Sequence, residues 1–553
     1  MTQYHLLQAP KGRTVPFGLS ATALLVAFLC LLPMVAVAIA ALLGGLDAVS
    51  HLAATVLPRY IANTGLLVLL VGFGTFAIGV GAAWLVTMTR FPCVKIFEIL
   101  LVLPLAFPAY VLAYAYTHVL DHPGIVQATL RDLMGWGPRD YWFPEVRSLG
   151  GAAVMLVLVL YPYVYLLARA SFLQQSGSTF IAARALGSSP LGAFLSVSLP
   201  LARPAIAGGV LLAVMETIAD FGTVAYFGVQ TFATGIYTSW FSLADRAGAA
   251  QLALCLLTFA LLLAMLERAQ RGNAKYHDPS RGQRHQAPIT LRGGWAALAV
   301  ALCGMPVVFG AILPVVILFE MGIGSEQDLL SPRYLGFVQN SLTLASVAAL
   351  ITVGGAVAVG FFRRMSPGPL SNGAGYVARL GYAVPGGVIA IGLLVPFASF
   401  DNALDAWMRA NFDISTGLLF TGSIWLLVFA YMVRFMAAAL GAYEGGQAQV
   451  HDNMDAASRS LGRGPMGTLR RIHLPILTPS LLTALLIVFV DVMKELPATL
   501  IMRPFNYDTL AVQAYRLASD ERLEGAAVPS LVIVAMGLLP VILICRQVGR
   551  RRS

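Results

Sequence analysis

A chain of 553 residues in which 58% are hydrophobic and only 11% charged, with a mean hydropathy of +0.78, cannot clothe a soluble surface. The formal net charge of +10 would suit a nucleic-acid binder, but no aromatic platform accompanies the basic residues, and a bilayer surface accounts for them. Cys30, Cys93, Cys255, Cys303 and Cys545 stand singly with no CxxC spacing, which suggests neither a disulfide framework nor a thiolate metal site.

A membrane-crossing helix needs about 20 apolar residues. In chain order such runs fall near 16–43, 61–89, 97–120, 149–172, 203–228 and 247–267, then near 294–322, 339–361, 379–400, 416–441, 478–502 and 525–545. The reading is an all-α polytopic membrane protein of about twelve spans. The first run is longer than the roughly 7–15 residues of a signal h-region, so it reads as a retained anchor. The chain divides into a first half, 1–267, a basic linker, 268–292, and a second half, 293–553. Each half holds an even number of spans, so the two are parallel repeats about an axis along the membrane normal.

With the N-terminus inside, one side collects Lys11, Arg13, Arg90, Lys95, Arg184, Arg203 and the linker run from Arg268 to Arg292. It also collects Arg363, Arg364, Arg379, Arg459, Arg463, Arg470, Arg471 and the tail from Arg546 to Arg552. The opposite loops mix signs, as in Asp121, Arg131, Asp132, Arg139, Asp140 and Glu145, or Asp401, Asp405, Arg409 and Asp413. This bias puts both termini in the cytoplasm.

The same side carries a pattern written twice. Ala182-Ala183-Arg184-Ala185-Leu186-Gly187, Pro190 and Leu199-Pro200 return, every position shifted by one constant offset, as Ala457-Ser458-Arg459-Ser460-Leu461-Gly462, Pro465 and Leu474-Pro475. Weaker echoes at or near the same offset pair Asn63-Thr64 with Asn340-Ser341. Within each copy a glycine follows a helical stretch and a proline opens the next, which predicts two short helices meeting at a left-handed bend. The second short helix offers Leu191, Phe194 and Leu195 in one copy and Met466 and Leu469 in the other, a knob suited to a partner's groove.

The loops, at 173–203 and 442–478, resemble the EAA loop of binding-protein-dependent ABC importer permeases, and the resemblance covers essentially the whole chain. It implies a type I importer permease fold with two fused halves, whose loops dock on two copies of a cytoplasmic ATPase. A periplasmic or lipid-anchored solute-binding protein is the further partner it implies. The family's glutamate position holds Ile181 in the first copy and Ala456 in the second, with Asp455 one residue earlier. The chain has no GxxxxGK[ST] stretch, so it is not expected to be an enzyme; ATP and Mg belong to the partner, and no cofactor is expected on the chain itself. A second set of phrases, Met215 to Thr223 and Asp491 to Leu510, resembles those of fused ferric-iron permeases. The rival cargo is another small solute such as thiamine, and the rival class is an ion-coupled secondary transporter, which leaves the two matched loops without a purpose.

Four carboxylates fall inside the spans that follow the loops: Glu216 and Asp220 in one half, Asp491 and Glu495 in the other. A buried charge is costly unless it faces a cavity or a partner. Two readings stay open: a hard-oxygen lining for a cation route, or interhelix pairing with Arg434 and Lys494. His122, His277, His285 and His473 lie in loops without metal-ligand spacing and read as surface residues.

Overall fold

The computed structural model describes residues 16–175, 177–271, 289–325 and 327–550. Most of the basic linker, with His277 and His285, lies outside these residues, as do Lys11, Arg13, Arg551 and Arg552. Among the described residues eleven helices are long and apolar enough to cross a membrane, and a bent pair raises the number to twelve. In the first half they are Phe17–Leu43, Leu57–Met88, the pair Val94–Ala106 and Ala109–Met134, Leu149–Gln174, Pro190–Ala219 and Arg246–Leu266. In the second half they are Gly294–Gly324, Pro332–Met365, Gly386–Phe412, Ile424–Gln447, Pro465–Met493 and Leu523–Ile542. We refer to these as spans one to six of each half.

Two expectations about the spans are corrected. The first half's third span, expected to run unbroken over 97–120, bends by 92° between Ala106 and Ala109. Phe107 is extended there (φ −92°, ψ 132°) because the following Pro108 disfavours the helical conformation in its predecessor. The second half repeats the device: Val384 is extended before Pro385, and the third span starts only at Gly386. The fifth spans, expected over 203–228 and 478–502, stop at Ala219 and Met493, and short helices Gly222–Tyr226 and Pro497–Met502 follow.

The chain forms two compact units, and neither coincides with a repeated half. One unit joins the N-terminal segment up to Ile39 to Ser341–Val492 and Met502–Phe505. Within it, span one of the first half packs on spans of the second: Leu19 lies in one apolar cluster with Ala358, Phe361, Met365 and Leu469. Gly392 lets the backbone at Pro33 approach where any Cβ would collide. The other unit holds Ala40–Asn340, Met493–Ile501 and Asn506–Ser553. There span one of the second half packs on the first half, with the Tyr116 hydroxyl donating to the Phe309 carbonyl and Gly310 lying against Leu158 and Pro104. Each half thus lends its first span to a unit built largely from the other.

Repetition shows in polar ties as well. The Asn63 amide donates to the Gln230 carbonyl at 2.8 Å, and the Asn340 amide to the Asp508 carbonyl at 3.1 Å, spanning 167 and 168 residues. On span four, Arg169 pairs with Glu98 at 2.9 Å. Its counterpart in the register of the repeat is Glu444, which accepts from Arg379 and from Arg363, the latter at 2.9 Å. The tie from span four to the short helix ahead of the span-three proline is kept, with its charges reversed. The described residues contain a single sheet, two residues of Thr89–Arg90 paired in parallel with Ile289–Thr290.

Candidate functional site

The two repeated loops have the same backbone. In the first, the helix Gly177–Ala185 ends with Gly187 at φ +91°; in the second, Asp452–Ser460 ends with Gly462 at φ +73°. The Gly187 N–H donates to the Arg184 carbonyl and Ser188 N–H to that of Ala183, both at 3.1 Å. Gly462 N–H donates to Arg459 at 2.9 Å and Arg463 N–H to Ser458 at 3.1 Å. These paired bonds are the helix-ending motif that a left-handed residue closes, and glycine supplies it without a Cβ penalty. The short helices Pro190–Ala193 and Pro465–Thr468 follow. Each then passes through a five-residue π-helical turn, Phe194–Ser198 and Leu469–His473, into the Leu199-Pro200 or Leu474-Pro475 start of span five. π-turns inside helices concentrate at functional positions.

The outer faces of the loops differ. The first exposes Ile181, Leu186, Leu191 and Leu195, with Leu186 87% exposed. The second exposes Leu461 and Met466 beside the cations Arg459, Arg470 and Arg471. Ala182 and Ala457 are exposed, while Ala183 is half-buried and Ser458 buried.

Beneath the loops the difference is larger. Asp455, one residue before the expected glutamate position, does not face outward: its side chain is 6% exposed. Its carboxylate accepts from Arg364 Nε at 2.8 Å and from His473 Nε2 at 2.7 Å. Burial opposes its ionisation, but the His473 and Arg364 hydrogen bonds outweigh that and hold the carboxyl below the ordinary carboxylate range. His473 is fully buried, correcting the surface reading; it closes the π-turn with its ring edge-on to Phe361 at 5.0 Å. In the first half the positions in register with Asp455 and His473 are Phe180 and Ser198, both buried. The offset that pairs Asn63 with Asn340 on span two sets half-buried Thr87 opposite Arg364, and none of the three is charged. There Phe194 of the π-turn packs against Trp84 at 5.1 Å and Phe172 at 5.8 Å.

The intramembrane carboxylates divide into two kinds. Asp220 accepts from Thr223 N at 3.1 Å, Thr223 Oγ1 at 3.0 Å and Val224 N at 3.2 Å. Glu495, its counterpart, accepts from Ala498 N at 3.0 Å, Thr499 N at 3.1 Å and Thr499 Oγ1 at 2.8 Å. Both satisfy the orphan amides of the short helix after the break, where a carboxylate also complements the positive end of the helix dipole. One turn earlier, Glu216 and Asp491 are half-buried, as are Arg434 and Lys494. The Arg434 guanidinium lies 5.8 Å from the Phe435 ring centroid. Within their unit the two breaks meet around Tyr110: a Cβ on Gly222 would stand 2.9 Å from both Leu496 and Tyr110. The Tyr110 hydroxyl donates to the Lys494 carbonyl at 3.3 Å.

A duplicated set of spans, each half bearing the same exposed two-helix bend before a span that breaks at a capped carboxylate, defines a multi-pass transport permease. The chain belongs to the family of binding-protein-dependent transport system inner membrane components, whose model matches it twice, over residues 75–271 and 350–553. It is 26% identical over 537 residues to the Fe(3+)-transport system permease protein FbpB 2 of Haemophilus influenzae, covering 96% of this chain and 98% of that one. The ferric transport system permease protein FbpB of Actinobacillus pleuropneumoniae is 25% identical, over 86% of this chain and 69% of its own. A putative 2-aminoethylphosphonate transport system permease protein PhnV of Salmonella typhimurium is 27% identical over 28% of this chain and 53% of its own.

Proposed function

We propose that this chain is the permease subunit of an ATP-driven importer in a bacterial plasma (inner) membrane, with ferric iron as cargo. Its halves, 1–267 and 293–553, joined by the basic segment 268–292, present the loops and both termini to the cytoplasm. Two copies of an ATPase dock on the loops and hold ATP and Mg, and a periplasmic or lipid-anchored binding protein delivers the cargo from the opposite face. The observation that carries this reading is the repeated, exposed bend at Gly187 and Gly462, closed by the same hydrogen bonds and kept in one register along the two halves. Ferric iron is favoured over other solutes because the resemblance to ferric permeases runs along almost the whole chain, whereas that to PhnV covers 28% of it.

The broken fifth spans form the gate in this reading. Asp220 and Glu495 set the breaks, and Glu216 and Asp491, one turn before them, face the route or pair with Arg434 and Lys494. The test is ATP-dependent uptake of iron into vesicles holding the permease, its ATPase and its iron-loaded binding protein, against thiamine and 2-aminoethylphosphonate as competitors. Uptake of iron alone supports the cargo. Uptake of another solute instead, with ATP still required, removes iron but leaves the importer. Glu216→Gln and Asp491→Asn should lower uptake per folded molecule if these acids line the route, since an amide keeps the shape and removes the charge.

A further inference from the structure

The second loop is strapped to its spans by a buried ionic knot, of which the first loop shows no counterpart among the described residues. Asp455 lies on the loop's first helix, His473 closes the π-turn that opens span five, and Arg364 stands at the end of span two. Both carboxylate oxygens are engaged, by His473 at 2.7 Å and Arg364 at 2.8 Å, and Arg364 also donates to the Val450 carbonyl at 2.8 Å. A carboxylate only accepts, so His473 Nε2 carries the proton. Ser458 and Thr468 add a hydroxyl bond of 2.8 Å between the two short helices. Charge-assisted bonds of this kind are short and steep in angle, so the elements they join move together or not at all. At the first loop the described supports are Phe194 between Trp84 and Phe172, a non-directional apolar contact, and one neutral bond from Gln175 Nε2 to the Ser198 carbonyl at 2.9 Å.

We propose that Asp455, His473 and Arg364 form a positioning network that carries motion of the second loop into spans two and five of its half, making the two loops unequal transmitters. The acid works inward, as a strut, not outward as a contact for the docked subunit. This rests on the reading that the loops dock ATPases, and the experiment separates the two.

The experiment is deuterium exchange on the full complex of permease, ATPase and binding protein in lipid nanodiscs, with and without ATP plus vanadate. In the unaltered complex, trapping should change exchange in both Leu199–Ala219 and Leu474–Met493. In Asp455→Asn and His473→Leu the change should fall about tenfold in Leu474–Met493 only, within the range for substitutions along a coupling network. His473→Gln keeps an N–H donor for Asp455 and should restore it. Loss in both spans, an undiminished response in Asp455→Asn, or loss of ATPase association in that variant would each overturn the strut. Should Asp455→Asn fail to accumulate, Arg364→Lys gives the same decision, since lysine keeps the charge but not the fork. Failure of the unaltered permease to hold the ATPase would instead sink the docking reading.

Discussion

The undersides of the two repeated loops are built from opposite chemistry on one backbone. The first sits on Trp84, Phe172 and Phe194; the second sits on Asp455, His473 and Arg364. The same hydrogen bonds close both bends, and the same π-turn leads out of both. What duplication preserves is therefore the shape presented to the outside, while the support beneath is free to change kind. The Arg169–Glu98 and Arg379–Glu444 ties repeat the lesson, because the link survives with its charges exchanged.

If the shared backbone is what matters, the largest effect should come from breaking it. Gly187→Val with Gly462→Val should abolish uptake while leaving protein in the membrane. No atom lies within 4 Å of either new Cβ, so the cost is conformational, about 1–2 kcal/mol per residue. Uptake by either single variant at the unaltered rate would show that one loop suffices.

The supports come next. Phe194→Ala should lower stability by about 3–5 kcal/mol, and Leu469→Ala at the matching position by about 2 kcal/mol, because the ionic knot remains. Thermal unfolding of the two variants in one detergent measures the difference, and equal losses would erase the contrast between aromatic and ionic support.

Acid should then discriminate between them. The Asp455 carboxyl is held below its unfolded value of about 4, so its stabilisation is complete above about pH 4 and lost as pH falls through the lower folded value. Amides of residues 452–460 should lose protection on acidification below about pH 4, relative to intrinsic exchange, while those of 177–185 do not. The smallest effect belongs to a largely exposed ion pair. Arg147 grips Glu521 at 2.6 and 2.8 Å, lowering the pKa of Glu521, yet Glu521 is 60% exposed. Glu521→Gln should cost at most about 1 kcal/mol of stability.

Span count and duplication were legible because both rest on local features: apolar run length and a short phrase kept in register. The breaks in span five were written locally too. Glu495-Leu496-Pro497 is a capping acid followed by proline at the first helical position, and Asp220 precedes Thr223 in the same way. A reading by apolar length alone runs through them, since the short helices beyond are as hydrophobic as the span. His473 was illegible for another reason. It lies beside Arg470 and Arg471, and its partners are 18 residues back on another helix and, through Asp455, a further 91 residues away on span two. Contacts at that separation are set by packing, which no local pattern reports.

The exchange of first spans sets a clock on synthesis. The Phe17–Ile39 segment packs in a unit whose remaining residues begin only at Ser341. At about 5–20 residues per second, a ribosome needs roughly 15–60 s to bring out the first of those partners. Through that interval the positions on the earliest helix that meet Gly355 and Gly392, Val26 and Pro33, have no partner yet synthesised. Joining the halves in one polypeptide keeps that waiting helix within reach of its own late-arriving partner and away from one on another molecule.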